Sequence, residues 1–111
     1  MNVIFALLML LNVRVIDGDT VVVNGEHIRL LDIDTPEIHG KCLSEKTMAY
    51  QAKGYVQGLL ATNKVRIERH GKGKYGRTLA YLWIGDKTIN QMLLDAGLAR
   101  KYEGGRKPWC N

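Results

Sequence analysis

The chain has 111 residues, of which 46% are apolar and 24% are charged, values typical of one small globular domain. This composition excludes a disordered chain and is sufficient for one modest hydrophobic core. The formal net charge of +5 and an isoelectric point near 9.4 favour a polyanionic partner, nucleic acid before a membrane surface.

Residues 1–11 form an apolar segment ahead of the first predicted strand. It is shorter than the roughly 20 residues that a membrane-spanning helix needs, so we expect no stable membrane span. Its length suits the apolar part of an export signal, but no basic residue precedes it and no small-residue cleavage site follows it. An export signal, a hydrophobic lead-in to the first strand and a mis-assigned start all fit this pattern. Residues 12–111 are expected to form a single domain.

Alternating apolar residues predict three strands in the first third of the chain, at residues 12–16, 20–23 and 27–31. Asn24-Gly25 is a dipeptide that closes tight hairpins, so the second and third strands are expected to pair. In the third strand Ile28 and Leu30 share one face, which places Arg29 on the other.

Helical spacing of apolar residues predicts a helix from an N-cap at Ser44 to the region of Ala61. Two more strands are predicted, at 65–68 and 79–84, on either side of a glycine-rich basic loop. A short helix follows, with Asn90 as its cap and Gly97 at its end.

This order of elements predicts a mainly β fold with helices, of the α+β class. Strands in a meander, then a helix, then two more strands suit a small five-stranded barrel. We therefore expect a barrel of the oligonucleotide-binding type, capped by two to three helices.

Carboxylates are concentrated early in this basic chain. Six of the eleven acidic residues lie within residues 17–37: Asp17, Asp19, Glu26, Asp32, Asp34 and Glu37. Clustered carboxylates repel one another, so such a group is typical of a hard-cation site or of a carboxylate that acts as a base. The alternative for Asp17 and Asp19 is a plain turn, in which their side chains bond the nearby backbone.

Basic residues are concentrated in the second half of the chain. One stretch contains Lys64, Arg66, Arg69, Lys72, Lys74 and Arg77. It is either the solvated face of a strand or a surface for a polyanion. Arg29 and Arg77 are candidates for gripping phosphate, because the planar guanidinium binds two oxygens at once. Lys74, Tyr75 and Tyr102 are candidates for substrate binding, the two tyrosines by stacking on bases.

The two cysteines, Cys42 and Cys110, lack the spacing of a zinc site. A disulfide between them would close a loop of about 70 residues and add roughly 3–4 kcal/mol of stability in the chain-entropy model. Two free thiols in a cytoplasmic protein are the alternative. We expect the disulfide, and with it a secreted or periplasmic protein.

Four segments carry a resemblance to a known family. They are residues 15–20 (VIDGDT), 28–37 (IRLLDIDTPE), 74–81 (KYGRTLAY) and 90–99 (NQMLLDAGLA). In order and spacing they closely resemble the thermonuclease (staphylococcal nuclease) family, and the Trp109-Cys110 ending looks like its short bacterial members. The resemblance implies a five-stranded barrel with helices, and calcium-dependent hydrolysis of DNA and RNA with little sequence specificity.

The resemblance also assigns roles to individual residues. Three match the family's catalytic positions: Arg29, Glu37 and Arg77. Three match its calcium ligands, two through a carboxylate and one through a backbone carbonyl: Asp19, Asp34 and Thr35. Asp17 matches an acid that contacts the ion through water at most.

The implied mechanism has Glu37 activating or orienting a water molecule for attack at phosphorus, while calcium and the two arginines neutralise the developing charge. DNA and RNA that are single-stranded or locally unpaired are the expected substrates, with no obligate protein partner evident. The alternative is a non-catalytic nucleic-acid-binding barrel. Degenerate modules of that kind usually lose an Arg or Glu of the catalytic set, whereas this chain keeps all three.

Overall fold

The computed structural model of the chain describes residues 12–105 and 107–111, so the apolar segment 1–11 lies outside the described residues. The strands are β1 (Val13–Asp17), β2 (Thr20–Val23), β3 (Glu26–Leu30), β4 (Ile33–Asp34), β5 (Arg66–Lys72), β6 (Thr78–Ile84), β7 (Lys87–Thr88) and β8 (Arg100–Lys101). The helices are α1 (Leu43–Thr62) and α2 (Ile89–Asp95), with a single 3-10 turn at Lys74–Gly76.

The larger sheet mixes antiparallel and parallel pairing. Strands β1, β2 and β3 form an antiparallel meander, β3 pairs in parallel with β6, and β6 pairs with both β5 and β7. Strands β4 and β8 form a separate two-stranded ribbon. This architecture confirms the α+β prediction. The pairings among the described residues run as an open path from β1 to β5, so closure of the barrel stays a prediction.

The hydrophobic core follows the alternation read from the sequence. Ile28 and Leu30 of β3 are fully buried, whereas Arg29 between them is half-buried on the opposite face. The hairpin between β2 and β3 is also as predicted, because both Asn24 (φ 50°) and Gly25 (φ 81°) have the positive φ that a type I′ turn requires. These local features fix the register of the strand that carries Arg29.

Helix α1 covers the core with Ala52 and Val56, which are fully buried. The predicted N-cap at Ser44 is wrong: Cys42 is the N-cap, and it makes no side-chain capping hydrogen bond. Gly18 lies under this helix, where a Cβ would be 2.7 Å from that of Ala52. In the described part of the chain, neither α1 nor any other helix is long and apolar enough to cross a membrane.

Helix α2 is attached to the sheet by Asn90, which was predicted to cap it. The cap is instead Thr88, whose hydroxyl accepts a first-turn backbone N–H at 2.9 Å. Asn90 lies inside the helix and is buried, accepting the N–H of Leu82 at 3.2 Å and donating to the carbonyl of Leu31 at 2.9 Å. Gly97 ends the helix with a φ of 72°, as predicted.

Glu26 belongs to a structural network rather than to the other acids of residues 17–37. From β3 it accepts two hydrogen bonds from Arg69 of β5, at 2.7 and 2.9 Å, and one from Thr78 of β6 at 2.8 Å. The hydrogen bonds from Arg69 lower the pKa of Glu26 to about 2. The charge of Arg69 is therefore matched within the sheet, which removes it from the basic surface expected to face a polyanion.

Gly54 and Gly58 lie in helix α1 and test how that helix packs on the core. A Cβ at either position would meet no atom within 4 Å. Alanine loses less backbone entropy than glycine in a helix, so Gly54→Ala and Gly58→Ala should each raise the free energy of unfolding by roughly 0.5–1 kcal/mol. Urea unfolding measures the change. Gly18→Ala is the contrasting variant and should destabilise the fold, since its Cβ would collide with Ala52. A similar effect in all three variants would contradict this account.

Candidate functional site

A cleft of ≈ 530 Å³ opens between the β1–β2 turn, the end of β3, the β4–β8 ribbon and the 3-10 turn. The sequence-predicted residues that line it are Asp17, Asp19, Arg29, Asp34, Glu37, Lys74, Tyr75, Arg77 and Tyr102. Thr35 is buried next to Asp19, and Asp32 joins the lining. Residues from four distant parts of the chain therefore share one cleft.

Strand pairing explains how Arg29 and Arg77 come to line the same cleft. Thr20 of β2 lies opposite Arg29 of β3, and Arg29 lies beside Leu79 of β6. Side chains two residues apart in extended chain point to the same face, so Arg77 lies diagonally across from Arg29. Strands β4 and β5 lie between β3 and β6 in the sequence. The parallel pairing of β3 with β6 therefore brings two distant segments of the chain side by side.

The Asp19 carboxylate contacts three groups at the cleft, and only 8% of the residue is exposed. It accepts hydrogen bonds from the Thr20 hydroxyl at 3.0 Å and from the Thr35 backbone N–H at 3.1 Å. Its Oδ2 also lies 3.4 Å from Nη2 of Arg29. A β-bulge between Val15 and Asp17 redirects the strand ahead of this turn, as bulges near functional sites often do.

Arg29 is held by backbone as well as by charge. Its Nη1 donates to the carbonyl oxygens of Leu30 at 2.7 Å and Ile33 at 3.0 Å. Its Cζ lies 5.9 Å from the ring centroid of Tyr102. The guanidinium is therefore fixed at the floor of the cleft before any ligand arrives.

Asp17 lies at the edge of the same acidic group. Its Oδ1 accepts the backbone N–H of Ile38 at 3.2 Å. Burial raises the pKa of Asp17, and the charges of Asp19 and Glu37 raise it further, whereas the hydrogen bond from Ile38 opposes the rise. Asp17 therefore anchors the loop after Glu37. The negative charges of Asp19 and Glu37 disfavour its ionised form.

The loop that carries Glu37 is anchored by Glu45 of α1, a residue whose role the sequence interpretation missed. Glu45 is buried, and its two carboxylate oxygens accept the backbone N–H groups of Glu37 at 3.3 Å and Lys41 at 3.0 Å. A Cβ at Gly40 would lie 2.5 Å from the Glu45 side chain, so a larger residue there would displace the carboxylate that anchors the loop. The sequence did contain a signal for this role. Glu45 is the third residue of the helix, and an acid at that position often accepts hydrogen bonds from the backbone N–H groups that precede the helix.

Arg77 is presented by a tight loop that also exposes Tyr75. Tyr75 is 92% exposed and adopts a φ of 61°, a conformation unfavourable for a bulky residue. Arg77 donates from Nε to the Lys74 carbonyl at 3.4 Å, and its Cζ lies 5.7 Å from the Tyr75 ring. Tyr75 is thus a surface aromatic at the cleft rather than a core residue.

Arg100 was not singled out by sequence, yet it contacts a predicted metal ligand. It lies directly opposite Asp34 in the β4–β8 ribbon, with Nη2 3.2 Å from Asp34 Oδ2. Each carboxylate of the expected calcium pair therefore has an arginine partner, Asp19 with Arg29 and Asp34 with Arg100.

Cys42 and Cys110 are joined by a disulfide, with their Cα atoms 6.1 Å apart. The bond ties the C-terminal tail to the N-terminal end of α1. Ligand-type atoms of Cys42, Glu45 and Cys110 lie within 4.8 Å of one another. That group is a poor metal site, because the two sulfurs are bonded to each other and neither is a thiolate.

The family model described as "Staphylococcal nuclease homologue" matches residues 27–109, which is most of the chain. The matched region contains the third strand, the anchored loop, both helices and the ribbon that frames the cleft. The chain belongs to the staphylococcal nuclease family, which confirms the predicted family resemblance. Three of the four segments that carry the resemblance lie within the matched region, and the first, residues 15–20, precedes it.

Several relatives share this similarity. The thermonuclease of Staphylococcus intermedius is 41% identical over 93 residues, covering 78% of this chain and 55% of that protein. The thermonuclease of Staphylococcus hyicus is 37% identical over 94 residues, covering 79% and 56%. The endonuclease YncB of Bacillus subtilis is 37% identical over 95 residues, covering 78% and 44%. The chain spans about half the length of these relatives.

Reduction of the disulfide should destabilise the protein. The bond joins residues that are 68 positions apart in the sequence. Loss of a native disulfide from a small domain typically lowers the free energy of unfolding by about 2–5 kcal/mol. Urea unfolding with and without dithiothreitol measures the loss. The unfolding midpoint of the double variant Cys42→Ser/Cys110→Ser should not change with the reductant, so this variant serves as the control. An unchanged midpoint, together with two reactive thiols in natively purified protein, would refute the bond.

Proposed function

We propose that the chain is a calcium-dependent phosphodiesterase that hydrolyses DNA and RNA with little sequence specificity. The observation that carries this proposal is the convergence of Arg29, Glu37, Arg77, Asp19 and Asp34 on one open cleft. Membership of the staphylococcal nuclease family, with relatives named thermonuclease and endonuclease, supports the hydrolytic activity.

Asp19, Asp34 and the carbonyl of Thr35 are the proposed calcium ligands. Their donor chemistry fits the ion, since calcium prefers carboxylate and carbonyl oxygens. The Thr35 hydroxyl oxygen is buried and has no hydrogen-bond partner among the described residues, and the backbone N–H of the same residue donates to Asp19. A bound calcium ion would neutralise charge on the substrate phosphate and acidify a bound water molecule.

Glu37 is the proposed acceptor of the water proton. It lines the cleft with the two aspartates, and its loop is held from behind by Glu45. A carboxylate within hydrogen-bond reach of the attacking water takes its proton as the water oxygen bonds to phosphorus, and one ester P–O bond of the phosphodiester breaks as its oxygen departs. Anchoring of the backbone at Glu37 limits the freedom of that carboxylate, which favours a reproducible geometry.

Arg29 and Arg77 are the proposed phosphate-binding pair. Arg29 is fixed by two carbonyls and Asp19, whereas Arg77 contacts the Lys74 carbonyl and the ring of Tyr75. Guanidinium groups bind phosphate oxygens in pairs, and donors that are already in place stabilise transition-state charge without reorganising. Both arginines are therefore assigned to the negative charge that grows on the phosphoryl oxygens.

Lys74, Tyr75 and Tyr102 are the proposed substrate-binding residues. Tyr75 is 92% exposed and Tyr102 is 50% exposed, and both line the cleft. Stacking on an aromatic ring is worth about 1–3 kcal/mol per base and tolerates every base. It requires an unpaired base, so single-stranded or locally unpaired DNA and RNA are the proposed substrates.

The disulfide supports a proposal about location. Disulfides persist in oxidising compartments and are rare in the cytosol. We therefore propose that the protein works outside the cytoplasm, secreted or periplasmic.

Closure of the sheet into a five-stranded barrel is also proposed. Among the described residues β1 pairs only with β2, and β5 only with β6, so each presents an open edge. Open edges are commonly covered or closed in natural sheets, and a barrel removes both.

Calcium removal is the first test of the proposed activity. Incubation of the pure chain with single-stranded DNA should give fragments in calcium and none in excess EGTA. Homopolymers of different bases should be cut at similar rates, because stacking does not select a base. Fragment analysis on a gel gives the result. Tight binding without cleavage in calcium would favour the alternative, a non-catalytic nucleic-acid-binding module.

Glu37→Gln tests the assignment of the base. The amide keeps the size of the side chain but accepts a proton poorly, so turnover should fall about 10²–10⁴-fold while DNA affinity changes little. Single-turnover cleavage and fluorescence anisotropy measure the two quantities. Asp86→Asn, in an exposed turn, removes a carboxylate outside the cleft lining and should retain full turnover. Full turnover in Glu37→Gln would remove Glu37 from the mechanism.

A further inference from the structure

Arg100 connects the Asp34 carboxylate to the C-terminal tail, residues 107–111. Directly opposite residues in an antiparallel ribbon have side chains on the same face, which brings Arg100 against Asp34. Their charged atoms are 3.2 Å apart, and the two side chains are 30% and 18% exposed. Salt screens such a partly buried pair less than it screens a pair at the open surface.

The tail holds the same guanidinium from its other side. Arg100 donates from Nη1 to the carbonyl of Pro108 at 3.1 Å and from Nη2 to the carbonyl of Lys107. Its Cζ lies 3.9 Å from the ring centroid of Trp109. The residue after this tryptophan is bonded by the disulfide to the start of α1. Two carbonyls, an aromatic face and a carboxylate leave this planar cation little freedom to move away.

We infer that Arg100 is a positioning residue that lowers the calcium affinity of the site, and that the tail enforces this effect. The inference rests on the proposed calcium site. In the chain as described, Arg100 neutralises Asp34 and orients one of its oxygens. The same fixed positive charge opposes a cation at Asp34 and competes for Oδ2.

The expected consequence is a site that fills only when calcium is abundant. Extracellular calcium modules work at dissociation constants of about 10⁻⁴–10⁻³ M, weaker than those of intracellular sensors. An arginine clamped beside a ligand gives such weak binding without any change in the ligands themselves. The calcium affinity therefore depends on residues 107–111, which are not themselves proposed calcium ligands.

The test is a calcium titration of the full chain followed by backbone amide NMR shifts, which resolve weak binding. Arg100→Gln should lower the calcium dissociation constant about 3–10-fold, the effect of removing one screened unit charge beside a cation. Arg100→Lys keeps the charge but loses the planar fork that the tail holds, so its dissociation constant should lie between those of the unmodified chain and Arg100→Gln, a partial rescue that loss of packing would not give. Lys101→Gln removes the same charge one position along β8, opposite Ile33, and should change the constant less than about twofold.

Trp109→Ala tests the contribution of the tail while both cysteines remain. Without the indole the guanidinium is less firmly held, so the calcium dissociation constant should fall in the chain that retains Arg100. In the Arg100→Gln background the same substitution should have no effect, since the two residues act as one unit. Equal effects in both backgrounds would overturn the role assigned to the tail.

The outcomes separate this inference from the proposed function. Equal or weaker calcium binding in Arg100→Gln, with shifts still centred on Asp19 and Asp34, would overturn the inference and leave the nuclease proposal standing. The absence of calcium shifts at these residues in the unmodified chain would overturn both the inference and the proposed calcium site. The cleavage assay on single-stranded DNA then reports independently whether the protein is a nuclease.

Discussion

The buried carboxylate of Asp19 is the constraint on which the cleft depends. It joins the β1–β2 turn to the start of the anchored loop through Thr35, and to β3 through Arg29. A buried carboxylate is costly unless hydrogen bonds and an opposite charge compensate it, and here a backbone N–H, a hydroxyl and a guanidinium do so. The positions of the remaining groups follow, because Arg29, Thr35 and the residues after them are fixed relative to this one side chain.

Three of the carboxylates at the site have a local partner. Asp19 faces Arg29, Asp34 faces Arg100, and Tyr81 donates its hydroxyl hydrogen to Asp32. That hydrogen bond raises the pKa of Tyr81 to about 12. Protein groups therefore compensate these three side chains, and a cation proposed to bind at Asp19 and Asp34 would compete with arginine partners that are already in place.

The features predictable from the sequence are those with local causes. The Asn24-Gly25 hairpin and the burial of Ile28 and Leu30 follow from turn chemistry and alternation. The choice of Asn90 as a cap was wrong because its amide bonds to distant backbone, which helix-end preferences do not describe. The two-residue strands β4 and β8 are too short for a periodic pattern, so the contact of Asp34 with Arg100, 66 positions away, had no local signal.

The grouping of the cleft residues was predictable for a different reason. Spacing alone favoured a simple turn for Asp17 and Asp19, and the family resemblance placed them with Glu37 and Arg77. The structure brings these residues to one cleft through the parallel pairing of β3 and β6, which links segments far apart in the chain. No short sequence window contains both strands of such a long-range pair, so hydrophobic periodicity does not predict the pairing.

The disulfide between Cys42 and Cys110 makes residues 42–110 a covalent ring. The exposed turn around Tyr75 lies inside that ring, and glycine-rich loop tips are preferred sites of proteolytic nicking. A single cut there would leave both fragments attached, with Arg77 on one side of the break and Lys74 on the other. A nicked molecule would thus remain one covalently linked particle that keeps the residues on both sides of its cleft.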